Sequence, residues 1–426
     1  RCMIDMMNRP VMRYVDAFPY EEGGDSLFYI RDPQEIATSP LVVSPAELFI
    51  LSMFDGQHSP RDIKMEFASQ FQGILLDDEH IFQLIQILDE NYYLNSPRFR
   101  DYYEELQMDF RKATVRPAWH AGGSYPKDSE MLRAQIDAFY NDTEGAGLPL
   151  RNGKLNAHPV THNLVAIMAP HIDLRVGGTC YTHAYKPLIE AGNPADVYII
   201  LGVAHYGGGG FFTATAKDFE TPLGVVQTDR AFIEKWGEYA GTDFTKGDWA
   251  HRTEHSIEFQ LPFLQHSFSH SYQIVPILCG SPERHIRAGK QLDQVPEINK
   301  AISALKRVIL EDGRNIQIIL SVDLAHMGPK FDDPFKVDET KAAEIRTADE
   351  TMFRIISEFD PEEFHNLMEK DLLKRNVDAC SAIFTLMQLM KKSSVKTVGY
   401  QQNLQPDTQS IVTFGSMVFY GELASQ

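Results

Sequence analysis

The stretch Ile167 to Asp173, IMAPHID, closes an apolar run with a proline, a histidine and an acid. Two later stretches repeat the design: VYIILGVAH from Val197 to His205, and IQIILSVDLAH from Ile316 to His326. Each is apolar, partly β-branched and of strand length, and each ends in small residues and a histidine. Buried strands of this kind predict an α/β fold, with a mostly parallel central sheet flanked by helices. Residues just beyond the carboxyl ends of such strands face the crevice where ligands bind. If the three strands are neighbours, His171, His205 and His326 converge. One strand-end histidine is usually an ordinary loop residue, but three, with Asp173 and Asp323 close by, point to a shared site. Imidazole with carboxylate suits a divalent transition metal or general acid–base chemistry.

Composition narrows the class. The chain has 426 residues, enough for a large core and two or more domains, and 43% of them are hydrophobic. Asp and Glu outnumber Lys and Arg by 59 to 40, a formal net charge of −19. That balance argues against a general nucleic-acid or anionic-membrane surface. Cys2, Cys180, Cys279 and Cys380 are widely spaced and form no CxxC pair, so neither a disulfide framework nor a zinc knuckle is indicated. No apolar run is long enough to span a bilayer, and the opening RCMIDMMNRP has no signal-peptide core. The expectation is a cytoplasmic protein.

The first 111 residues read as a separate small α+β domain. Leu27–Arg31 and Leu41–Val43 are strand-like. Ser44-Pro45-Ala46-Glu47 supplies an N-cap, a first-turn proline and a capping-box acid. A second helix starts at Ser59-Pro60. A third starts near Asp77, with Ile81, Leu84, Ile85 and Leu88 on one face. The pattern resembles a winged helix or the small PqqD peptide-binding domain. The third helix carries Asp77, Asp78, Glu79, Asp89 and Glu90 and no Lys or Arg, which disfavours phosphate contacts. A peptide- or protein-docking role fits better than DNA binding; a packing module is the plain alternative.

Residues 112–426 form the second predicted domain. It opens with a Trp119-His120 turn and a helix over Ser129–Tyr140, then a polar loop over 141–162. Four glycines follow His205, implying close approach or movement, but no phosphate-binding fingerprint is present. In HRTEHSIEFQLP, from His251 to Pro262, a helical reading puts Glu254 and Glu258 on one face with His255 near Glu258. A solvated charged face and a site-facing role are both open. A strand near 272–278, a long helix over about 287–311, helices near 338–358 and 361–370, and a helix opened by Asn376-Val377-Asp378-Ala379-Cys380 follow. Two antiparallel strands, 397–401 and 411–420, close the chain.

At these residues the chain resembles the Memo family, which includes the AmmeMemoRadiSam system protein B. The motifs are Trp119 to Tyr125, APHID at 169–173, HAYK at 183–186, ILGVAH at 200–205, EHSIEFQLP at 254–262, IVPILCG at 274–280 and SVDLAHMG at 321–328. The resemblance runs over roughly residues 112–423 and leaves out the amino-terminal domain.

The resemblance implies a fold similar to class III extradiol dioxygenases, whose iron sits between two histidines and a carboxylate. In Memo proteins the corresponding pocket uses two histidines, here His171 and His205, and a cysteine. That cysteine position aligns with Asn376, while Cys380 falls at a family proline. The implied site is therefore a single iron or copper ion on His171 and His205, completed by Asp378, Cys380 or water. His326 is the expected acid–base group, oriented by Asp323, with Glu254, His255, His120, Asp173, Asn376 and Glu258 in or around the pocket. The implied activity is that of a metal-dependent, dioxygenase-like oxidoreductase acting on a small molecule or peptide. The rival expectation is a non-catalytic docking component that serves a radical-SAM protein.

Overall fold

The strands β5 (Leu164–Ala169), β6 (Val197–Val203), β10 (Gln273–Cys279) and β11 (Ile316–Ser321) are almost wholly buried, and all of their pairings with one another are parallel. In this computed structural model, which describes residues 7–150 and 163–423, β11 lies between β5 and β6. The three histidine-bearing strands are thus adjacent, and their carboxyl ends share one edge of the sheet.

The sheet is mixed rather than mostly parallel. Its order is β12–β14–β5–β11–β6–β10–β7, with β13 on the other side of β14. Strand β7 (Phe212–Ala214) is antiparallel to β10, and β14 (Ser410–Leu423) is antiparallel to β5, to β12 (His326–Met327) and to β13 (Met390–Gln405). The cause is the short turn at 406–409. It returns the chain directly, so β13 and β14 pair as a hairpin, whereas a parallel partner needs a crossover connection. Both hairpin strands are longer than the sequence pattern predicted. A small sheet of β4 (Val115–Arg116), β8 (Asp218–Thr221) and β9 (Gly224–Val226) lies apart.

Helices cover both faces of the large sheet. Helices α7 (Arg230–Ala240), α11 (Pro296–Asp312), α12 (Glu339–Glu358), α13 (Pro361–Leu367) and α14 (Cys380–Leu389) contribute to one core, with Trp236, Leu305, Ile356, Phe364 and Leu386 all buried. Helices α5 (Ser129–Asn141), α6 (Leu174–Glu190) and α9 (Gln260–Ser267) contribute Ile136, Tyr181, Tyr185 and Phe263 to a second. The long helix predicted over about 287–311 begins only at Pro296, as α11; the short α10 (Glu283–Arg287) and a 3-10 turn (Leu292–Gln294) precede it. Pro296 lacks an amide hydrogen, so it opens a helix instead of continuing one. Likewise, His251 to Pro262 is not one helix: a 3-10 turn (Asp248–His251) precedes α8 (His255–Glu258) and then α9. The end of the predicted loop, residues 151–162, lies outside the described residues.

By contacts the chain divides into units 1–112 and 113–426. The first has the antiparallel sheet β1 (Asp16–Glu22), β2 (Asp25–Arg31) and β3 (Leu41–Val43), followed by helices α1 (Pro45–Ser52), α2 (Pro60–Gln70), α3 (Asp78–Glu90) and α4 (Pro97–Lys112). Ser44 and Ser59 each complete a capping box, with Glu47 and Asp62. Asp77 caps α3, and Asp78 and Glu79 sit in its first turn, where the helix dipole favours negative charge. Much of the acidity of this helix therefore has a local structural cause. Strand β1 carries Pro19 and three acids, a composition that hides an edge strand from sequence reading. Three strands preceding four helices are described here; the winged-helix likeness remains one of pattern.

Two glycines hold the loop after β6 in place. A Cβ on Gly247 would lie 2.2 Å from the Gly209 nitrogen and 2.6 Å from its Cα, so the two backbones touch where no side chain fits. The Gly247→Ala substitution is expected to destabilise the protein by about 1–3 kcal/mol, because backbone rather than a flexible side chain must move. A urea unfolding midpoint equal to wild type would count against this packing.

Candidate metal centre

His171 and His205 each lie two residues beyond the ends of β5 and β6, and His255 is the first residue of α8. The segment 254–260 is stitched to the strand ends. Ser256 Oγ accepts from the Val203 amide and donates to the Val203 carbonyl, both at 3.1 Å. Gly202 makes this possible, since a Cβ there would come within 2.6 Å of that hydroxyl. Gln260 Nε2 donates to the Pro170 carbonyl at 2.8 Å and to Ser321 Oγ at 2.7 Å, tying the ends of β5 and β11 to the same segment. His255 is thereby brought beside His171 and His205, with ring centroids 5.0, 5.0 and 4.8 Å apart. Ligand atoms of the three all lie within 4.8 Å of one another, a group that one metal ion can draw together.

The ring orientations are fixed from behind. His171 Nδ1 donates to the Ser321 carbonyl at 3.0 Å. The carboxylate of Glu254 accepts from His205 Nδ1 at 2.9 and 3.1 Å and from the His205 amide at 3.0 Å; it also caps α8 through the Ser256 amide and lies 3.4 Å from His255 Nδ1. Partners on Nδ1 leave Nε2 of His171 and His205 facing inward, the usual arrangement of metal-binding histidines.

Asp378 completes the cluster. Its Oδ1 accepts from the Asp323 amide at 2.9 Å. Its Oδ2 is buried, lies 3.1 Å from His171 Nε2, 3.7 Å from His205 Nε2 and 4.0 Å from His326 Nε2, and has no hydrogen-bond partner among the described residues. It sits beside, not along, the N–H direction of the nearest imidazole. Asp323 Oδ1 accepts the His171 and Ile172 amides at 2.9 and 3.2 Å.

The electrostatics follow from burying three carboxylates among imidazoles. Burial alone would lower the His171 pKa, but Asp323 and Asp378 outweigh it and raise the value to about 9. The same contest, won by Glu254 and Asp378, raises His205 to about 10. His255 goes the other way: burial and its imidazole neighbours His205, His171 and His120 hold it well below the usual range against the pull of Glu254. Burial opposes ionisation of Glu254 and Asp378, yet the adjacent histidines keep both well below the usual carboxylate range. Burial and Asp378 push Asp323 up.

Comparison with known proteins bears on this arrangement. The Memo family, described as Memo-like protein, matches residues 116–418. The chain belongs to the Memo family. A MEMO1 family protein of Aquifex aeolicus is 31% identical over 416 residues, covering 97% of this chain and 100% of that protein. One from Methanobrevibacter smithii is 30% identical over 316 residues, covering 70% of this chain and 97% of its own. The Aquifex match extends into the N-terminal unit. All the strands and side chains of the histidine cluster lie inside the Memo match.

The other predicted site residues are distributed around this centre. His326 Nδ1 donates to the carbonyls of Leu324 and Asn376, at 3.0 and 3.1 Å, so its Nε2 also turns toward Asp378. Asn376 adopts a left-handed backbone, with φ 49°, and donates its amide to the His326 carbonyl at 3.1 Å, so it holds His326. Cys380, by contrast, lies in the apolar core with its thiol on the Val377 carbonyl at 3.3 Å, and burial pushes its pKa up. A protonated core thiol is not placed to be a ligand. Asp173 caps α6 and pairs with Arg175. Glu258 faces away from Glu254: it is fully buried, pairs with Arg116, and accepts from the His120 amide at 2.9 Å and from the Tyr125 hydroxyl. His120 bonds the Thr253 carbonyl and packs edge-on to His255. Sequence reading missed the stitching roles of Ser256, Gln260 and Ser321 and the clasp of Arg116. The density of polar residues in EHSIEFQLP was the available signal.

Below this segment, burial lowers the pKa of His251 to about 4; its Nε2 donates to the Thr213 carbonyl at 3.0 Å and its Nδ1 has no partner among the described residues. The unfolded chain, with a histidine pKa near 6.5, takes up this proton first as pH falls. Stability is therefore fully present above about pH 6.5 and falls toward pH 4, by roughly 3 kcal/mol in total. The His251→Gln variant is expected to show a shallower loss over that window in chemical denaturation. An unchanged slope would rule this histidine out.

Proposed function

We propose that this Memo-family chain binds one divalent transition-metal ion through His171, His205 and His255, with Asp378 as an adjoining carboxylate, and acts as a non-haem, dioxygenase-like oxidoreductase. The observation that carries the reading is Asp378 Oδ2, a buried, ionised oxygen without a hydrogen bond among the described residues, set among imidazole nitrogens. Protonated His171 and His205 compensate that charge without a metal, and a bound cation would take the place of their protons. Imidazoles with a carboxylate suit iron(II) better than copper(I).

When bound, the ion would supply Lewis acidity and redox capacity. The chain's own groups would do the rest. Glu254 and the Ser321 carbonyl fix the rings of His205 and His171. His326 commits Nδ1 as a donor, so Nε2 in the neutral ring can accept a proton from a substrate hydroxyl. Its side chain is 19% exposed and that of His205 is 27% exposed, so both meet solvent. The docking alternative draws support from the N-terminal unit, where Met65, Ile74 and Leu75 are 63, 61 and 87% exposed. In that reading the unit holds a partner such as a radical-SAM protein.

The test is elemental analysis of untagged protein prepared anaerobically and offered iron(II) or copper(I), followed by screening catechol-like substrates. About one ion per chain is expected, with affinity reduced at least about tenfold in His171→Ala, His205→Ala and His255→Ala. The His326→Ala variant should keep the metal and lose turnover. Undiminished binding by His255→Ala would remove it from the ligand set, and a wild-type chain that takes up neither metal would turn the reading toward docking.

A further inference from the structure

Strand β13 ends the large sheet: among the described residues it pairs with no strand but β14, so over 399–405 its outer backbone edge has no strand partner. Such an edge invites another strand unless something blocks it. The two halves of β13 differ in this respect. The first half has exposed Lys391, Lys392 and Lys396 and two register irregularities, at Lys392/Ser394 and Thr397/Gly399. Lysines and bulges are the devices that keep edges from pairing. From Gly399 to Gln405 the register with β14 runs without interruption, and the strand contains no charged residue.

That unprotected half lines a cleft. Its volume is about 570 Å³, and its wall includes Tyr400, Gln401, Gln402, Asn403 and Leu404 consecutively. Successive side chains of a strand point to opposite faces. A cleft lined by five in a row, together with Val176 of α6 and Ala342, Ala343 and Arg346 of α12, therefore runs along the strand's edge and not over one face. The helices overhang both sides, and the strand is pinned to each. Gln401 donates to Thr179 Oγ1 on α6 at 2.9 Å; Gln402 donates to the Ala342 carbonyl on α12 at 2.9 Å. The strand is thus tied to both helices that wall the slot.

We propose that residues 399–405 of β13 form a strand-addition site that takes an extended segment of a partner polypeptide carrying a basic side chain. Main-chain hydrogen bonds to the open edge would supply affinity, and pockets for alternate side chains would supply selectivity. The charge of the slot sets the sign of the partner. Glu144 and Glu339 stand exposed on its rim, while its lining cation, Arg346, lies with its guanidinium carbon 5.0 Å from the Tyr400 ring centroid. A lysine or arginine of the incoming strand has two carboxylates to meet. This site is separate from the histidine cluster and does not depend on metal.

Selection of a random-peptide display library against the full chain, with synthetic peptides made from the enriched sequences, tests the proposal. Enriched peptides should carry Lys or Arg. Their binding, read by fluorescence anisotropy, should weaken at least about tenfold in the Glu144→Lys/Glu339→Lys variant and when alternate peptide amides are N-methylated, since both charge and backbone bonds are lost. Hydrogen exchange at 399–405 should slow on peptide addition. No enrichment, equal binding by the charge-reversed variant, or protection of another segment would overturn it. A solution dimer dissociated by Leu404→Lys would also overturn it, by assigning the edge to a second copy of the chain.

Discussion

Everything at the centre of this molecule hangs on the carboxylate of Glu254. It is buried, and it bonds the main chain and ring of His205, caps the short helix that begins with His255, and lies against the His255 ring. A charge buried in this way is tolerable only with partners on every side, and removing one partner of a buried pair typically costs about 3–5 kcal/mol. The carboxylate therefore fixes the tautomer and aim of one imidazole and the position of a second. It explains why His205 and Glu254, 49 positions apart in the chain, behave with the neighbouring His255 as one group.

The sheet supplies the platform. Parallel strands β5 and β6 deliver His171 and His205 at one edge, and β11 between them delivers Ser321 and Asp323, which hold His171. Behind the 254–260 segment, Arg116 reaches from the first strand of the unit to the carbonyls of His251 and Glu254 and to Glu258. Two glutamates four residues apart thus face opposite ways, one clamped to arginine and one aimed at histidine. The pairing of each acid with its own cation keeps both charges compensated in a nearly dry interior.

At the centre itself the charges are compensated by protonated imidazoles. Asp378 brings an ionised oxygen among imidazoles without a hydrogen bond among the described residues to satisfy it, and the histidines' own proton affinities are set by the surrounding carboxylates. The arrangement reads as a cation site built into a fold whose remaining polar groups are, for the most part, well paired.

Much of this was legible in the chain. Three β-branched apolar runs ending in histidine determined buried strands and a crevice at their ends, because side-chain period and burial are local properties of the sequence. The capping box at Ser44 was equally plain, since a helix end needs its amides satisfied on the spot; that of Ser59 with Asp62 emerged only in the structure. What the residues could not reveal is which imidazoles meet. His326 ends the third histidine stretch of the sequence, yet four residues of irregular backbone after β11 set it to one side at the start of β12, while His255 sits in no strand and reaches the centre only through the stitch of Ser256 to Val203 and of Gln260 to two strand ends. The helical reading of 251–262 put Glu254 and Glu258 together; the breaks around α8 turn them apart. Cys380 looked like a ligand by spacing and is a core residue by packing. Sequence alone determined the strands, the caps and the stock of imidazoles and carboxylates; tertiary structure decided their partners, because hydrogen bonds between residues 50 to 150 positions apart depend on strand order and loop path, which no local pattern encodes.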